Sequence, residues 1–219
     1  AGDVAAWHAD GLLAEKGARI VAVAEQDPAR LAAFAKKYSI DHTVSDWREL
    51  LKEDAIDVLL ILAPHHFHHT MVVGALKARK HVICEKPMAR NVAECDAMLV
   101  EAAASGRSLF ISHSLRNSFF FTTATRLIEM GRIGRPILGC FRWLTDEIAR
   151  LTDPQHWKGT ITAGGGVFID GGCRIADVAN AIFGPARRVA ASGQRLVVGL
   201  SGRGEDNGSF LVEYASGAT

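Results

Sequence analysis

The chain has 219 residues, of which 48% are apolar and 22% are charged, and its 25 basic and 24 acidic side chains leave a formal net charge of +1. This composition is that of an ordinary globular protein, and a chain of this length can bury a full core without disulfides or structural metals. The near-neutral charge and the scattered basic residues exclude a phosphate-binding stripe, so we predict no nucleic-acid partner.

The apolar runs and the cysteines bear on the cellular compartment of the protein. The apolar stretch Val58 to Ala63 is far shorter than the ~20 residues that a membrane span needs, so we expect a buried strand there and no membrane partner. Cys84, Cys95, Cys140 and Cys173 form no CxxC pair and no disulfide-scaffold pattern. We therefore predict reduced thiols and a cytoplasmic location.

The first elements follow one another closely. A helical pattern runs through Leu13 and breaks at Gly17, and the apolar run Ile20 to Ala24 is typical of a buried parallel strand. Asp27 and Pro28 then supply an N-cap and a first-turn proline. A second helix is expected there, with one apolar face formed by Leu31, Phe34, Ala35 and Tyr38.

Helices and strands continue to alternate up to residue 115. The patterns predict a short helix at 46–52, a strand at 58–62, a helix at 70–78, a strand at 81–84, a helix at 92–104 and a strand at 109–112. Such alternation is typical of βαβ units. We therefore predict an α/β fold in which residues 1–115 form a doubly wound parallel sheet of the Rossmann type.

The rhythm changes after residue 115. We expect a helix through 130, a long strand at 136–145, an irregular segment to 163, a glycine-studded helix to 183, and strands at 189–198 and 209–214. Residues 116–219 are therefore predicted to form a second, α+β domain with an open, largely antiparallel sheet.

Both ends of the chain affect this prediction. The sequence enters a helical pattern at once after Ala1, and Gly217 to Thr219 stop where further sheet strands are expected. We expect these residues to be a portion of a longer chain, in which the first Rossmann strand precedes Ala1 and the second domain continues beyond Thr219.

The first residues could contact a dinucleotide. In a dinucleotide-binding unit the turn G-x-G-x-x-G/A brings backbone amides at a helix N-terminus to a pyrophosphate. Gly2 and Ala5 match the second glycine and the final small residue of that turn. Glu25 ends the next strand, where a carboxylate can accept hydrogen bonds from ribose hydroxyls, although it could also be an ordinary loop acid.

Four histidines follow a predicted buried strand. His65 and His69 are spaced i, i+4, which could place two imidazoles on one metal ion, but no HExxH glutamate or second ligand cluster accompanies them. We therefore predict no metal site. Polar residues at the carboxyl end of a parallel strand more often line a ligand crevice.

Lys86 follows the next strand at the same edge of the predicted sheet. A lysine there can lie beside a positively charged nicotinamide ring, where repulsion and loss of water favour the neutral amine that proton transfer requires. On the segment 85–87 alone, a surface lysine would explain the residue equally well. Cys84 is better explained as a small buried apolar residue than as a nucleophile.

Taken together, these segments resemble the glucose-fructose oxidoreductase, inositol dehydrogenase and MocA family over essentially the whole chain. The Glu-Lys-Pro element at 85–87 and the triple glycine with its following aspartate at 164–170 are the specific parts. The other matching segments are 1–5 with His8, Glu25, Ala63 and Pro64 with His68, 80–84, and Trp157 with Lys158.

This resemblance implies a nicotinamide-dependent enzyme that acts on sugars, polyols or cyclitols and forms homo-oligomers, dimers or tetramers, through its C-terminal sheet. The pyrophosphate would face Gly2, Asp3, Val4 and Ala5, and the adenosine ribose would face Glu25. The nicotinamide side would be formed by Ala63, Pro64, His65, His68 and Glu85. Lys86 would contact both substrate and cofactor, and Trp157 and Lys158 stand where the family has a Trp-Arg pair near the cofactor.

Arg174 departs from the family pattern. Dehydrogenases of the inositol type read D-x-G-x-H here, and the histidine takes the hydroxyl proton, whereas this chain reads Asp170-Gly-Gly-Cys-Arg174. Arginine cannot act as that base. Three readings stay open: an ion pair with Asp170 or Asp177, binding of an anionic substrate group such as a uronate carboxylate, and a site that no longer catalyses.

The five glycines at 164, 165, 166, 171 and 172 each cost up to ~1 kcal/mol inside a helix. They therefore indicate close backbone approach in a crevice between the two domains rather than helix stability.

These residues predict an oxidoreductase that transfers a hydride between a nicotinamide and a carbinol carbon of a sugar, polyol, cyclitol or sugar acid. Lys86 is the expected proton relay and Asp170 the group that orients the substrate. Glu25 favours NAD over NADP because a carboxylate repels a 2′-phosphate. The alternative is a catalytically silent nucleotide-binding sensor or interaction protein of the same fold.

Overall fold

The computed structural model describes residues 2–153, 156–197 and 204–219, apart from the side chain of Asp3. Seven α-helices and seven strands are assigned within these ranges. The helices are α1 (Asp3–Ala14), α2 (Pro28–Tyr38), α3 (His65–Lys77), α4 (Val92–Ser105), α5 (Phe119–Glu129), α6 (Ile148–Thr152) and α7 (Cys173–Phe183). The strands are β1 (Ala22–Ala24), β2 (His42–Val44), β3 (Val58–Ile61), β4 (His81–Glu85), β5 (Leu109–Ser112), β6 (Ala186–Gln194) and β7 (Asn207–Tyr214).

The chain divides into two compact units. The first comprises Ala1–Ala63, Phe67–Glu85 and Asn91–Phe110, and the second comprises Pro64–His66, Lys86–Arg90 and Ile111–Thr219. The second unit therefore includes the residues that directly follow β3 and β4. Our domain boundary between residues 115 and 116 stays a prediction.

The first unit has the predicted parallel α/β architecture. Strand β1 pairs in parallel with β2, and β3 pairs in parallel with β4, which has β5 on its other side. The core lies where the inward residues of β3 and β4 meet the helices, and its fully buried side chains include Ile61, Val82, Cys84, Val72 and Leu76. Strand β4 lies between α3 and α4 along the chain, as expected of βαβ units.

The start of α2 shows how local chemistry sets an element. Asp27 has extended backbone angles, and its carboxylate accepts hydrogen bonds from the N–H groups of Ala29 and Arg30. Pro28 occupies the first turn, where its missing N–H costs nothing. The helix ends at Ser39, whose backbone lies in the left-handed region (φ 53°), a conformation that commonly terminates helices.

The second unit combines helices with an antiparallel pair of strands. Strands β6 and β7 pair from Ala186 with Tyr214 to Gln194 with Asn207. A small core joins α7 to the end of this pair through Ala179, Phe183, Tyr214 and Ala218. The fold class is thus confirmed: a Rossmann-type parallel sheet, with a second part that contains an antiparallel sheet.

One predicted strand is wrong and one strand was missed. Residues 136–145 contain no assigned strand. Within the described chain, their backbone–backbone hydrogen bonds are limited to two with Thr219, one from Gly139 and one to Ile137, and these are too few to form a strand pair. Strand β2 was missed since its three residues are mostly exposed and show no apolar alternation. The helix expected from 70 begins at His65. Of the strand predicted at 189–198, Val198 lies outside the described residues.

No helix in the described ranges is long and apolar enough to cross a membrane.

Cys84 is fully buried, and burial raises the pKa of its thiol to about 12, which makes it an inert core residue as predicted.

Candidate active site

The main polar cluster of the second unit surrounds Asp170. This residue lies in a π-helical turn, Phe168–Gly172, that leads directly into α7. Lys86 directly follows β4, and Lys158 lies in a short 3₁₀ turn, Trp157–Gly159. A π turn inside a helix displaces side chains from the regular α spacing and is frequent at functional sites.

The two carboxylate oxygens of Asp170 are held by two different lysines. Lys86 Nζ donates to Asp170 Oδ1 at 2.6 Å and also to the Asp170 carbonyl at 3.0 Å. Lys158 Nζ lies 3.0 Å from Asp170 Oδ2 and donates to Glu147 Oε1 at 3.2 Å. The cluster thus holds two ammonium groups and two carboxylates.

This cluster is mostly excluded from solvent. The side chain of Lys86 is 8% exposed and that of Asp170 is 21% exposed. Burial alone would raise the pKa of Asp170, but the charges and hydrogen bonds of Lys86 and Lys158 outweigh burial and hold that pKa well below its ordinary value. Asp170 is therefore a carboxylate at neutral pH, and Lys86 is its hydrogen-bond donor.

His65 and Trp157 pack beside the cluster. The two rings meet edge to face with centroids 4.2 Å apart. His65 Nδ1 lies 2.6 Å from the Gly164 carbonyl, which makes Nδ1 the protonated nitrogen, and Nε2 lies 3.7 Å from Asp170 Oδ1. His65, Trp157, Lys158, Lys86 and Asp170 thus form one contiguous group.

The triple glycine is required by close contacts within the second unit. A side chain at Gly164 (φ 82°) would collide with His65, and one at Gly165 would collide with the Lys158 carbonyl. One at Gly166 (φ 92°) would meet the Glu205 carboxylate, which accepts a hydrogen bond from the Phe168 N–H. The predicted close backbone approach is confirmed for these three positions, and its partners are the residues that carry the cluster.

Arg174 does not form the ion pair that the sequence suggested. Its Nη1 donates to the main-chain carbonyl of Asp170 at 2.7 Å, and its guanidinium stacks on Trp143 with 5.0 Å to the ring centre. Within the described chain, the carboxylates of Asp170 and Asp177 are instead held by other cations. Arg174 therefore holds the π turn by a hydrogen bond to the main-chain carbonyl of Asp170.

Sequence reasoning missed a second polar group, formed by His113, Arg116 and Asp177. Arg116 makes a bidentate pair with Asp177 at 2.7 and 2.8 Å, and His113 Nδ1 lies 3.6 Å from Asp177 Oδ2. The signal was present, because His113 directly follows β5 just as Lys86 follows β4. Glu147 and Trp143 were missed as well, and no pattern in the sequence marks them.

The first unit holds the residues predicted to bind a dinucleotide. Gly2 is the N-cap of α1, and no side chain caps this helix; space around Gly2 is open, and Ala5 N–H donates to the Gly2 carbonyl at 3.0 Å. Val4 is 39% exposed at the same end of the helix. A helix N-terminus with open amides fits a pyrophosphate.

Glu25 directly follows β1, and Glu85 is the last residue of β4. Glu25 Oε1 accepts hydrogen bonds from the Asp27 N–H and from Arg30 Nη2, each at 3.0 Å. Burial raises the pKa of Glu25, but these bonds contribute to lowering it, and the group is a carboxylate at neutral pH. Glu85 Oε1 lies 2.9 Å from His8 Nε2.

The residues after β3 lie in different environments. His68 is fully buried on α3, and its Nε2 lies 2.9 Å from the Ala63 carbonyl. Pro64 precedes α3. In the described chain no three His, Cys, Asp or Glu side chains converge as metal ligands would.

Sequence comparison assigns this chain to a family. Residues 1–113 match the family described as an oxidoreductase family with an NAD-binding Rossmann fold, and residues 121–219 match the GFO/IDH/MocA C-terminal domain. The chain belongs to the GFO/IDH/MocA oxidoreductase family, which confirms the resemblance inferred from its motifs.

Individual relatives and solved structures carry more detail. The chain is 30% identical to levoglucosan dehydrogenase of Pseudarthrobacter phenanthrenivorans over 84% of this chain and 46% of that protein. It is 28% identical to myo-inositol 2-dehydrogenase of Thermotoga maritima over 99% of this chain and 64% of that protein. The chain thus spans about half to two thirds of these relatives' length.

Among solved structures, a probable dehydrogenase from Thermotoga maritima matches with a TM-score of 0.84 and 25% identity, covering 100% of this chain and 64% of that one. Levoglucosan dehydrogenase in complex with NADH and levoglucosan matches with a TM-score of 0.82 and 27% identity, covering 90% and 55%.

Proposed function

We propose that the protein of which this chain is part is an NAD-dependent oxidoreductase. It transfers a hydride between the nicotinamide and a carbinol carbon of a sugar, polyol, cyclitol or sugar acid. Family membership and the names of the relatives support the reaction class, since they are dehydrogenases of levoglucosan, myo-inositol and D-apiose.

The observation that carries this proposal is the buried contact between Lys86 and Asp170. An ammonium group that is 8% exposed and fixed at 2.6 Å by a carboxylate is preorganised to donate a hydrogen bond. In our proposal Lys86 binds the substrate oxygen and stabilises negative charge that develops there. Asp170 orients Lys86 and the substrate hydroxyl groups, and Lys158 keeps Asp170 charged.

Bound NAD would supply the hydride acceptor. Gly2, Asp3, Val4 and Ala5 would hold its pyrophosphate at the N-terminus of α1. Glu25 would accept hydrogen bonds from the adenosine ribose. The nicotinamide side would be held by Ala63, Pro64, His65, His68, Glu85, Lys86, Trp157 and Lys158.

The proposed preference for NAD over NADP rests on the charge of Glu25. The carboxylate, fixed by Asp27 and Arg30, would repel a 2′-phosphate. Titration of protein fluorescence with NADH and NADPH tests this preference. We expect tighter binding of NADH, and tighter binding of NADPH would contradict the assignment.

Substrate class depends on Arg174. Its remaining N–H groups could bind a carboxylate such as that of a uronate, because a planar guanidinium suits carboxylates. Alternatively, Arg174 only positions the π turn through the Asp170 carbonyl.

A second candidate function is a nucleotide-binding sensor that does not turn over substrate. It is favoured by Arg174 itself, which occupies the position of the proton-accepting histidine in the inositol-type family pattern and cannot perform that role.

The decisive experiment follows absorbance at 340 nm with the full-length protein, NAD, and a panel of neutral polyols, aldoses, cyclitols and their carboxylated counterparts. Turnover on carboxylated substrates alone assigns Arg174 to substrate binding, and turnover on neutral ones assigns it to positioning. Saturable NADH binding without any turnover would replace the enzyme by the sensor.

Three further proposals concern the domain boundaries, the oligomeric state and the cellular compartment of the enzyme. Residues 1–115 and 116–219 would be the nucleotide-binding and the substrate domain. The mostly exposed strand β6 supports assembly of homo-oligomers through the C-terminal sheet, which light scattering of the full-length protein tests. The free thiols of Cys84, Cys140 and Cys173 support a cytoplasmic location.

A further inference from the structure

A second carboxylate, Asp177 on α7, organises a group that the proposed function does not use. Its side chain is 13% exposed and is clamped by Arg116 through two hydrogen bonds at 2.7 and 2.8 Å. His113 presents Nδ1 to Asp177 Oδ2 at 3.6 Å and is 23% exposed. Contacts between catalytic groups are often this long before substrate binds, and they shorten in the complex.

This group and the Lys86 group share a cavity. Lys86, His113, Arg174 and Asp177 all line a space of about 10 Å³, together with Ser114 and Leu115. Such a volume is about that needed by one water molecule, so it could hold one hydroxyl group of a ligand. Lys86 and His113 therefore line the same small space.

Oxidation of an alcohol needs a proton acceptor at this place. Lys86 is occupied as a donor to the Asp170 carboxylate and carbonyl, and such a charged pair does not readily take up a further proton. Arg174 remains protonated at all relevant pH values. Among the ionisable residues that line the cavity, His113 is the one whose ordinary titration range allows uptake of a proton near neutral pH.

We propose that His113, positioned by Asp177, is the general base for the substrate hydroxyl. This proposal rests on the proposed function. In the oxidation the carbinol C–H bond breaks and its electron pair leaves as hydride for the dinucleotide oxidant. The O–H bond breaks, its proton goes to Nε2 of His113, and the C=O bond forms. Lys86 stabilises the oxygen while it carries negative charge.

Asp177 gives His113 the tautomer that this role requires. A carboxylate beside Nδ1 favours a proton on Nδ1 and leaves the lone pair on Nε2. Arg116 fixes the carboxylate in turn, so the arrangement is a base with an orienting carboxylate and a second group that holds it. His113 is the catalytic residue here, and Asp177 and Arg116 are positioning residues.

His65 is the main rival for the same task. It also lies near a carboxylate, with Nε2 at 3.7 Å from Asp170 Oδ1. However, it is 4% exposed and packs against Trp157, and the cavity lined by Lys86 is formed without it. His65 thus packs against the Asp170 cluster without lining this cavity.

The charges that face His113 determine the sign of its pH effect. Asp177 stabilises the protonated ring, whereas Arg116, Arg174 and Lys86 oppose protonation. Because a base must be unprotonated to accept a proton, oxidation should fall as pH decreases. Asp177→Asn removes the stabilising charge, so the midpoint of this acid limb should move to lower pH.

The test uses the full-length protein with NAD and the most active substrate of the 340 nm panel. His113→Gln leaves the Arg116 to Asp177 pair intact, and we expect kcat for oxidation to fall by about 10²- to 10⁴-fold with loss of the acid limb. NADH affinity, measured by fluorescence, should stay unchanged. His42→Gln is the matched control, since this exposed histidine lies on β2 and should leave both kcat and the pH profile unaltered.

Two further measurements separate a catalytic from a merely structural role. Free imidazole should restore part of the oxidation rate of His113→Gly, in proportion to its unprotonated form. Nitrogen NMR of the protein without substrate should show His113 protonated on Nδ1, and Asp177→Asn should remove that preference.

The outcomes distinguish this proposal from its premise. If His113→Gln keeps wild-type kcat and acid limb while Lys86→Met loses turnover, the role of His113 is overturned and the proposed function stands. If His65→Gln instead removes the acid limb, the base is His65 and our proposal is overturned. A wild-type protein that binds NADH without turnover overturns the proposed function and the role of His113 together.

Discussion

Asp170 and Asp177 lie seven residues apart and are held in different ways. Asp170 is bound by two lysines inside a cluster whose main partner, Lys86, is 8% exposed. Asp177 is bound by Arg116, whose side chain is 49% exposed, and faces the ring of His113. One carboxylate thus has two primary ammonium partners, and the other has a permanent cation and a titratable ring.

This difference separates two tasks that alcohol oxidation requires. A buried ion pair such as that of Lys86 with Asp170 keeps its charges and can stabilise an oxygen that becomes negative. A histidine beside a carboxylate can change its charge near neutral pH. In our proposal, Lys86 beside Asp170 therefore stabilises charge, and His113 beside Asp177 transfers the proton.

The largest effect should come from Lys86→Met. We expect a loss of about 10²- to 10⁴-fold in turnover with nucleotide binding retained, because the donor at the substrate oxygen is removed. The 340 nm assay and NADH fluorescence measure the two quantities. Lys77→Met is the matched control, since this lysine lies in the last turn of α3, outside the Asp170 cluster. Equal losses in both variants would contradict a specific role of Lys86.

Asp170→Asn should have the next largest effect, on stability. It leaves Lys86 and Lys158 in a largely buried site without their shared anion, which typically costs about 3–5 kcal/mol. Urea unfolding of the full-length protein at pH 7 measures the loss in the free energy of unfolding.

The pH dependence of stability checks the same residue. The pKa of Asp170 is lowered in the folded state, so its stabilising contribution is present above the unfolded pKa of about 3.9 and is lost as pH falls. Wild-type stability should therefore fall more steeply than that of Asp170→Asn below about pH 5. Parallel curves would show that Asp170 is not the group responsible.

Arg174→Ala should cost about 1–2 kcal/mol. The variant loses a charged hydrogen bond to the Asp170 carbonyl and the stacking on Trp143. Urea unfolding checks the value, and Arg174→Lys is the control that keeps the charge without the planar group. An unchanged midpoint for Arg174→Ala would remove its positioning role and leave substrate binding.

Asp177→Asn should have the smallest effect on stability, about 1 kcal/mol or less, because Arg116 is half exposed and solvent weakens the pair. The midpoint of the acid limb of oxidation should nevertheless move to lower pH, because the charge that stabilises protonated His113 is removed. A destabilisation as large as that of Asp170→Asn would erase the contrast between the two carboxylates.

Much of the fold could be predicted because local patterns decided it. Asp27 and Pro28 marked the start of α2, and apolar runs marked β3 and β4. The segment 136–145 has the residues of a strand, but a strand also needs a neighbour to pair with. Strand β2 is defined by pairing with β1 rather than by its own three residues.

The site was only partly predictable for a similar reason. Motifs identified Lys86 and Asp170, and the triple glycine indicated close packing before its partners were known. His113 and Asp177 are 64 positions apart in the printed sequence, and their contact depends on how the turn Ser114–Asn117 packs against α7. Likewise, Arg174 bonds with a carbonyl, a contact that residue spacing does not reveal.

The central claim is hydride transfer from a carbinol carbon in a site built around Lys86 and Asp170. Its most direct test incubates the full-length protein with NAD and the panel substrates deuterated at their carbinol carbons, followed by mass spectrometry of the dinucleotide. We predict reduced dinucleotide that carries one deuterium in the wild type, and at least about 10²-fold slower formation of it by Lys86→Met. Bound NADH without any deuterium transfer would contradict the account and identify a sensor.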